Sequence, residues 1–162
     1  DNQNLGGGCS IGGKWKDIST KELFDNKKIV LFSLPGAYTP TCSSQQLPGY
    51  EEKYEELKKF VDEVYCLSVN DAFVMNAWFR DQNISKVKPI GDGEGKFTEG
   101  MGMLVKKPKQ GFGLRSWRYS ALIDDCMVVK QFVEDGKNDD SKDDDPFKVS
   151  DAETMLNYLK KN

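Results

Sequence analysis

Two short apolar runs, 29–34 (IVLFSL) and 64–69 (VYCLSV), constrain this chain more than any other feature. Each is continuous where a strand with one wet face would alternate, so each reads as a strand covered on both sides. Helical patterns that supply such cover follow both runs. After the first, Leu47, Tyr50, Tyr54, Leu57 and Val61 recur at steps of three or four, the spacing of one buried helical face. After the second, Asn70 or Asp71 offers an N-cap for a helix carrying Val74, Ala77 and Trp78. Strands alternating with helices define an α/β layer architecture, and 162 residues make one domain of ordinary size.

The remaining pattern completes that outline. Ser19 and Glu22 have capping-box spacing before a helical turn that holds Leu23 and Phe24. Pro48, inside the first long helix, predicts a kink. Residues 86–91 read as a short edge strand leading into a turn, GDGEG. Residues 119–124 and 127–133 read as a β-hairpin turning near Asp125 and Cys126. Ser150 and Glu153 have the spacing of a second capping box, opening a last helix with Ala152, Leu156 and Leu159 on one face. The first thirteen residues, DNQNLGGGCSIGG, predict a flexible arm ahead of a domain over 14–162. Residues 134–146 carry seven acidic and two basic side chains and read as a solvated loop, without the ligand spacing of a calcium loop.

Composition removes whole classes of chemistry. The chain has no histidine, so Ser-His-Asp and Cys-His hydrolase sites are impossible within it. Cys9, Cys42, Cys66 and Cys126 form no C-x-x-C pair, which argues against a zinc site, and no metal is expected. A formal charge of -3 argues against nucleic acid, and no apolar stretch approaches the roughly 20 residues of a membrane span. Four scattered cysteines fit a reducing compartment, so the expected location is cytoplasmic. A start at Asp1 without Met leaves a mitochondrion or plastid, after loss of a transit peptide, as the alternative.

The stretch between the first strand and its helix, PGAYTPTC, carries the chemistry. With Thr41 as N-cap, Cys42 falls in the first helical turn, where free N–H groups and the helix dipole favour an anion. A thiolate is such an anion, and it is the nucleophilic form of cysteine. Pro35 and Pro40 fix local φ and hold the loop in one shape. Thr39 has the spacing to aim its hydroxyl at the sulfur. The bland alternative is a buried cysteine that packs as a small hydrophobe. Gln45 stands where a thioredoxin-type dithiol would need its second cysteine, so a single thiol acts here. Arg118, just ahead of an apolar strand, needs an anionic partner, either a thiolate or a surface carboxylate.

Pro35, Thr39 and Cys42 fill P-x-x-x-T-x-x-C, the signature of the peroxiredoxins. PGAYTPTCSSQQLPGYEE, CLSVNDAFVMNAW and LRSWRYSALIDD resemble the peroxiredoxin 5, or type II, subfamily, from Trp15 to the C-terminus. The resemblance implies a thioredoxin-like fold, a central mixed sheet flanked by helices, with Cys42 as the peroxidatic cysteine. It implies that Thr39 orients sulfur and peroxide, that Pro35 shields the site, and that Arg118 supplies the second essential charge. The backbone amides of Thr41 and Cys42 complete the donor set. No cofactor is implied.

The family divides on which thiol reduces the sulfenic acid. The animal form of peroxiredoxin 5 uses a cysteine near its C-terminal end, and this chain has none after Cys126. It resembles instead the plant and bacterial members served by glutathione and glutaredoxin, with thioredoxin as the other reductant to test. Cys66 reads as a buried strand residue, while Cys126 and Cys9 remain candidate resolving thiols. The resemblance also implies a homodimer, with Tyr38, Phe73 and Trp117 as aromatic anchors. Two other functions share the fold: a redox-sensing or partner-binding protein without turnover, and a monothiol exchange protein, whose Cys-Gly-Phe-Ser is absent here.

Overall fold

The structure, a computed structural model, describes residues 17–137 and 145–162. The expected strands form the middle of one mixed sheet. Strands β1 (Lys28–Ser33), β2 (Glu63–Ser68) and β3 (Lys88–Gly91) run parallel, while β6 (Tyr119–Asp124) lies antiparallel to β1 and β7 (Met127–Val133) antiparallel to β6. The order across the sheet is β3-β2-β1-β6-β7, which puts the two apolar runs at and beside its centre. After a short helix, α4 (Lys96–Gly100), a separate ribbon pairs β4 (Leu104–Lys107) with β5 (Gly113–Ser116).

Both faces of the sheet are covered, which is why β1 and β2 show no alternation of polarity. Val30, Phe32 and Leu34 point to one face, where α2 (Leu47–Leu57), α3 (Ala72–Asp81) and α5 (Ala152–Lys161) pack with Leu47, Trp78, Met155 and Leu156. Ile29 and Leu31 point to the other, against Leu23 and Phe24 of α1 (Thr20–Phe24) and against Met103, Trp117 and Tyr119. Phe32 and Tyr50 stack at 3.9 Å, and the Tyr50 hydroxyl donates to the Ser150 carbonyl, fixing α2 to the start of α5. Among the described residues no helix is long and apolar enough to cross a membrane.

Several local expectations hold: the Ser19–Glu22 capping box, the Asp71 cap on Val74 N–H, the edge position of β3, and the β6–β7 hairpin. Four need correction. The buried face of α3 is Met75, Trp78 and Phe79, one step round from the expected set. Asp151, not Ser150, caps α5, because the Ser150 hydroxyl is taken by the Glu134 carboxylate. The segment after β7 is not wholly solvated: Glu134 is buried and accepts the N–H groups of Lys148, Val149 and Ser150. Trp117, expected as a surface anchor, is buried with its indole N–H on the Glu134 carbonyl, whereas Tyr38 and Phe73 are exposed. The expected N-terminal arm lies outside the described residues.

Candidate active site

The loop that leaves β1 is tied down before it reaches Cys42. Leu34 N–H donates to the Leu67 carbonyl and Ala37 N–H to Asn70 Oδ1, so the end of β2 sets the path of the loop. Pro35 and Gly36 are buried. A Cβ at Gly36 would lie 2.8 Å from Arg115 Nη1, so glycine here lets the Arg115 side chain rest against the loop. Tyr38 takes φ 63 with its hydroxyl on Asp81 Oδ2.

Helical geometry begins two residues earlier than the N-cap reading placed it, at Pro40 and not Cys42. Pro40 opens the helix, a position where its missing N–H costs nothing, and Thr41 has helical dihedrals with no side-chain cap bond. Ser43 N–H closes the first turn on the Thr39 carbonyl. The Thr41 and Cys42 N–H groups therefore lie in the first turn, which leaves them without acceptors inside the helix. The Thr39 hydroxyl donates to the Gly36 carbonyl at 2.7 Å and not to the sulfur.

Residues Cys42–Gln46 are π-helical, and Leu47 N–H donates five residues back to the Cys42 carbonyl. Pro48 follows at the start of α2, where it has no N–H to give to the Ser44 carbonyl. The expected kink is thus a π-segment placed just ahead of the proline, the kind of distortion often found at functional sites. It turns Cys42 and Gln46 inward, both fully buried, while Ser44 and Gln45 face solvent. Ser43 accepts from the indole N–H of Trp78, which anchors the segment to α3.

Arg118, only 1% exposed, approaches from the start of β6. Its Nη1 lies 3.4 Å from Cys42 Sγ and 2.5 Å from Gln46 Oε1, and its Nη2 lies 2.5 Å from Asp145 Oδ1. Burial works against its charge, but Cys42 and Asp145 outweigh that and hold its pKa above the ordinary guanidinium value. The anionic partner expected for Arg118 is therefore both a cysteine and a carboxylate. A fork of N–H donors over a buried sulfur at a helix start can stabilise a thiolate and also the negative charge that develops when a bond to sulfur's partner breaks.

The other cysteines are dispersed. Cys66, opposite Phe32 on β2, is buried on the same face of the sheet as Cys42, and burial pushes its thiol well up, which suits packing. Cys126 is exposed in the β6–β7 turn at φ 66. That turn adjoins Lys28, whereas the loop to Cys42 leaves the opposite end of β1, a strand roughly 17 Å long. Cys9 lies outside the described residues. No group of three or more metal-ligating side chains exists among the described residues.

Two partners of Arg118, Gln46 and Asp145, lie outside the candidate residues that the sequence offers. Gln46 was legible in principle, four residues after Cys42 and so on the same helical face. Asp145 was not, since nothing in a run of acids marks the one that meets an arginine.

A single acting thiol at a helix start, set under a buried guanidinium on a thioredoxin-like domain, defines a thiol-based oxidoreductase site. The chain belongs to the peroxiredoxin family. The Redoxin family description fits residues 10–156. A hybrid peroxiredoxin, hyPrx5, from Haemophilus influenzae is 56% identical over 149 residues, 91% of this chain, and the chain spans 60% of that relative's length. Peroxiredoxin-2B of Arabidopsis thaliana is 43% identical over 143 residues, 87% of this chain and 83% of the relative. The crystal structure of the Plasmodium falciparum antioxidant protein, a 1-Cys peroxiredoxin, matches with a TM-score of 0.84 at 43% identity, covering 90% of this chain and 85% of that one.

Proposed function

We propose that the chain is a thiol peroxidase that reduces hydrogen peroxide and small organic hydroperoxides at Cys42, and is recycled by glutathione and glutaredoxin. The observation that carries the reading is Arg118 Nη1 at 3.4 Å from the buried Cys42 sulfur. The thiolate attacks the terminal oxygen of the peroxide. An S–O bond forms as the O–O bond breaks, its electron pair leaving with the other oxygen, which takes a proton and departs as water or an alcohol. Cys42 is left as a sulfenic acid, oxidised by two electrons. Arg118 and the Thr41 and Cys42 amides stabilise the charge that moves onto oxygen. The Thr39 hydroxyl gives its proton to the Gly36 carbonyl, so its oxygen is left to accept from the peroxide, and the buried Pro35 keeps water out.

A first glutathione thiol then attacks the sulfenic sulfur, releasing water and forming a mixed disulfide, and glutaredoxin accepts the glutathionyl group to regenerate the thiol. Cys66 is packed and Cys126 lies at the far end of the sheet, which favours an external reductant, as does the likeness to a 1-Cys peroxiredoxin. Because Cys42 has no exposed surface, its helical turn must move before that reductant reaches it. A homodimer with Tyr38 and Phe73 at its contact, working in the cytoplasm, completes the reading.

Turnover of hydrogen peroxide and tert-butyl hydroperoxide with glutathione plus glutaredoxin, set against thioredoxin, tests it. Faster turnover with glutaredoxin, abolished by Cys42→Ser, is expected. Equal, slow consumption by wild type and Cys42→Ser would overturn the peroxidase reading and favour a redox-sensing or partner-binding protein.

A further inference from the structure

The acidic segment 134–146 meets Arg118 at both of its ends. At the near end the Glu134 N–H donates to the Arg118 carbonyl at 3.2 Å. At the far end the Asp145 carboxylate takes Nη2 at 2.5 Å, and the ring of Phe147 sits 5.8 Å from the guanidinium carbon. One guanidinium thus serves two sites of negative charge through different nitrogens, the Cys42 sulfur on Nη1 and Asp145 on Nη2.

Two anions on one cation oppose each other. A carboxylate on Nη2 cancels part of the positive potential that Nη1 projects onto the sulfur, and it adds a like charge near the thiolate. It has a second effect once Cys42 becomes a neutral sulfenic acid, because the guanidinium would otherwise stay buried without a counter-charge. Arg118 does not need Asp145 to stay in place, since Gln46 Oε1 holds Nη1 and the side chain is almost fully buried.

Resting on the peroxidase reading, we infer that Asp145 is a positioning residue acting through Arg118: a standing counter-charge that holds down the thiolate population of Cys42 and keeps the guanidinium paired when the sulfur is oxidised. Among the described residues, the other groups around the pair leave that role to Asp145. Cys66 on β2, Tyr50 on α2 and Tyr119 on β6 are all pushed up by burial and stay neutral. Trp78 of α3 and Met155 and Leu156 of α5, in the same cluster as Cys42, carry no charge. The Glu134 carboxylate is spent on residues 148–150.

The test is the thiolate absorbance near 240 nm as a function of pH, each chain read against its own Cys42→Ser variant. Asp145→Asn moves the midpoint to lower pH, making the thiolate population on the acid limb roughly fivefold larger, a modest effect because Asp145 is partly exposed. Asp145→Glu, which keeps the charge, stays within about twofold of wild type. Asp145→Ser repeats the measurement should the asparagine variant fold poorly. An unchanged midpoint in the uncharged variants, or one moved to higher pH, would overturn the inference and make Asp145 a bystander or a mere prop for the arginine. The readout needs no turnover, so a chain that consumes no peroxide defeats the peroxidase reading and leaves this test standing.

Discussion

Arg118 Nη1 stands 3.4 Å from Cys42 Sγ while it donates to Gln46 Oε1, so a cation ahead of β6 and a thiol set 76 residues earlier share one buried pocket. Three acceptors, Cys42, Gln46 and Asp145, occupy a single guanidinium. Its forked shape lets one group meet all three.

Arg118→Lys keeps the charge and loses the fork. An ammonium group cannot reach sulfur, amide and carboxylate together, so the rate constant for peroxide reduction falls by about 100-fold in stopped-flow measurement. A lysine variant within a few fold of wild type would mean that charge alone suffices.

Gln46→Leu removes an acceptor from a buried donor. The unpaired Nη1 hydrogen costs about 1–3 kcal/mol in urea unfolding. The rate with peroxide drops as well, since one of the contacts that aims Nη1 at the sulfur is gone. Unchanged unfolding together with an unchanged rate would remove Gln46 from the site.

Glu134 links pH to the structure behind the site. Burial alone would raise its pKa, but the N–H groups of Val149, Lys148 and Ser150 outweigh it, and the pKa lies below the ordinary carboxylate value. A depressed folded-state pKa contributes stability that is present above the unfolded value and is lost as pH falls through the folded one. Glu134→Gln is therefore less stable than wild type at neutral pH, by about 1–3 kcal/mol for the weakened hydrogen bonds. The gap narrows as acidification carries the pH down through the lowered folded-state pKa. Unfolding curves of both chains at several pH values check this, and a gap that widened with acid would reverse the sign.

Cys126 sits at φ 66, a conformation that suits glycine, in a turn remote from Cys42. Cys126→Gly should raise stability by about 0.5 kcal/mol and leave peroxide turnover with glutathione and glutaredoxin within about twofold of wild type. Loss of turnover in that variant would restore Cys126 as a resolving thiol, reached in a second copy of the chain.

The fold was legible because the decisive signals are local. IVLFSL and VYCLSV are continuous since helices and loops cover both faces of β1 and β2, and the Ser19 and Asp71 caps are read within four residues. Cys42 was legible for the same reason, through its place at a helix start. What stayed hidden depends on contacts made far along the chain. Ser150 looked like a cap until Glu134, sixteen residues away, took its hydroxyl. Trp117 looked like a surface anchor until the Glu134 carbonyl took its indole. Asp145 reaches Arg118 across 27 residues, and an acidic run by composition reads only as solvated. Thr39 was expected to point at sulfur, but the tight turn after Gly36 offered its hydroxyl a nearer acceptor.

The most direct measurement of the central claim is the mass of the peptide that carries Cys42 after a brief exposure to one equivalent of hydrogen peroxide, trapped with a sulfenic-acid reagent, alongside the rate of peroxide loss. The account predicts rapid peroxide loss, with the trapped adduct on Cys42 and not on Cys66 or Cys126, and both lost in Arg118→Met. Peroxide loss at an equal rate in Cys42→Ser, or an adduct confined to another cysteine, would contradict it.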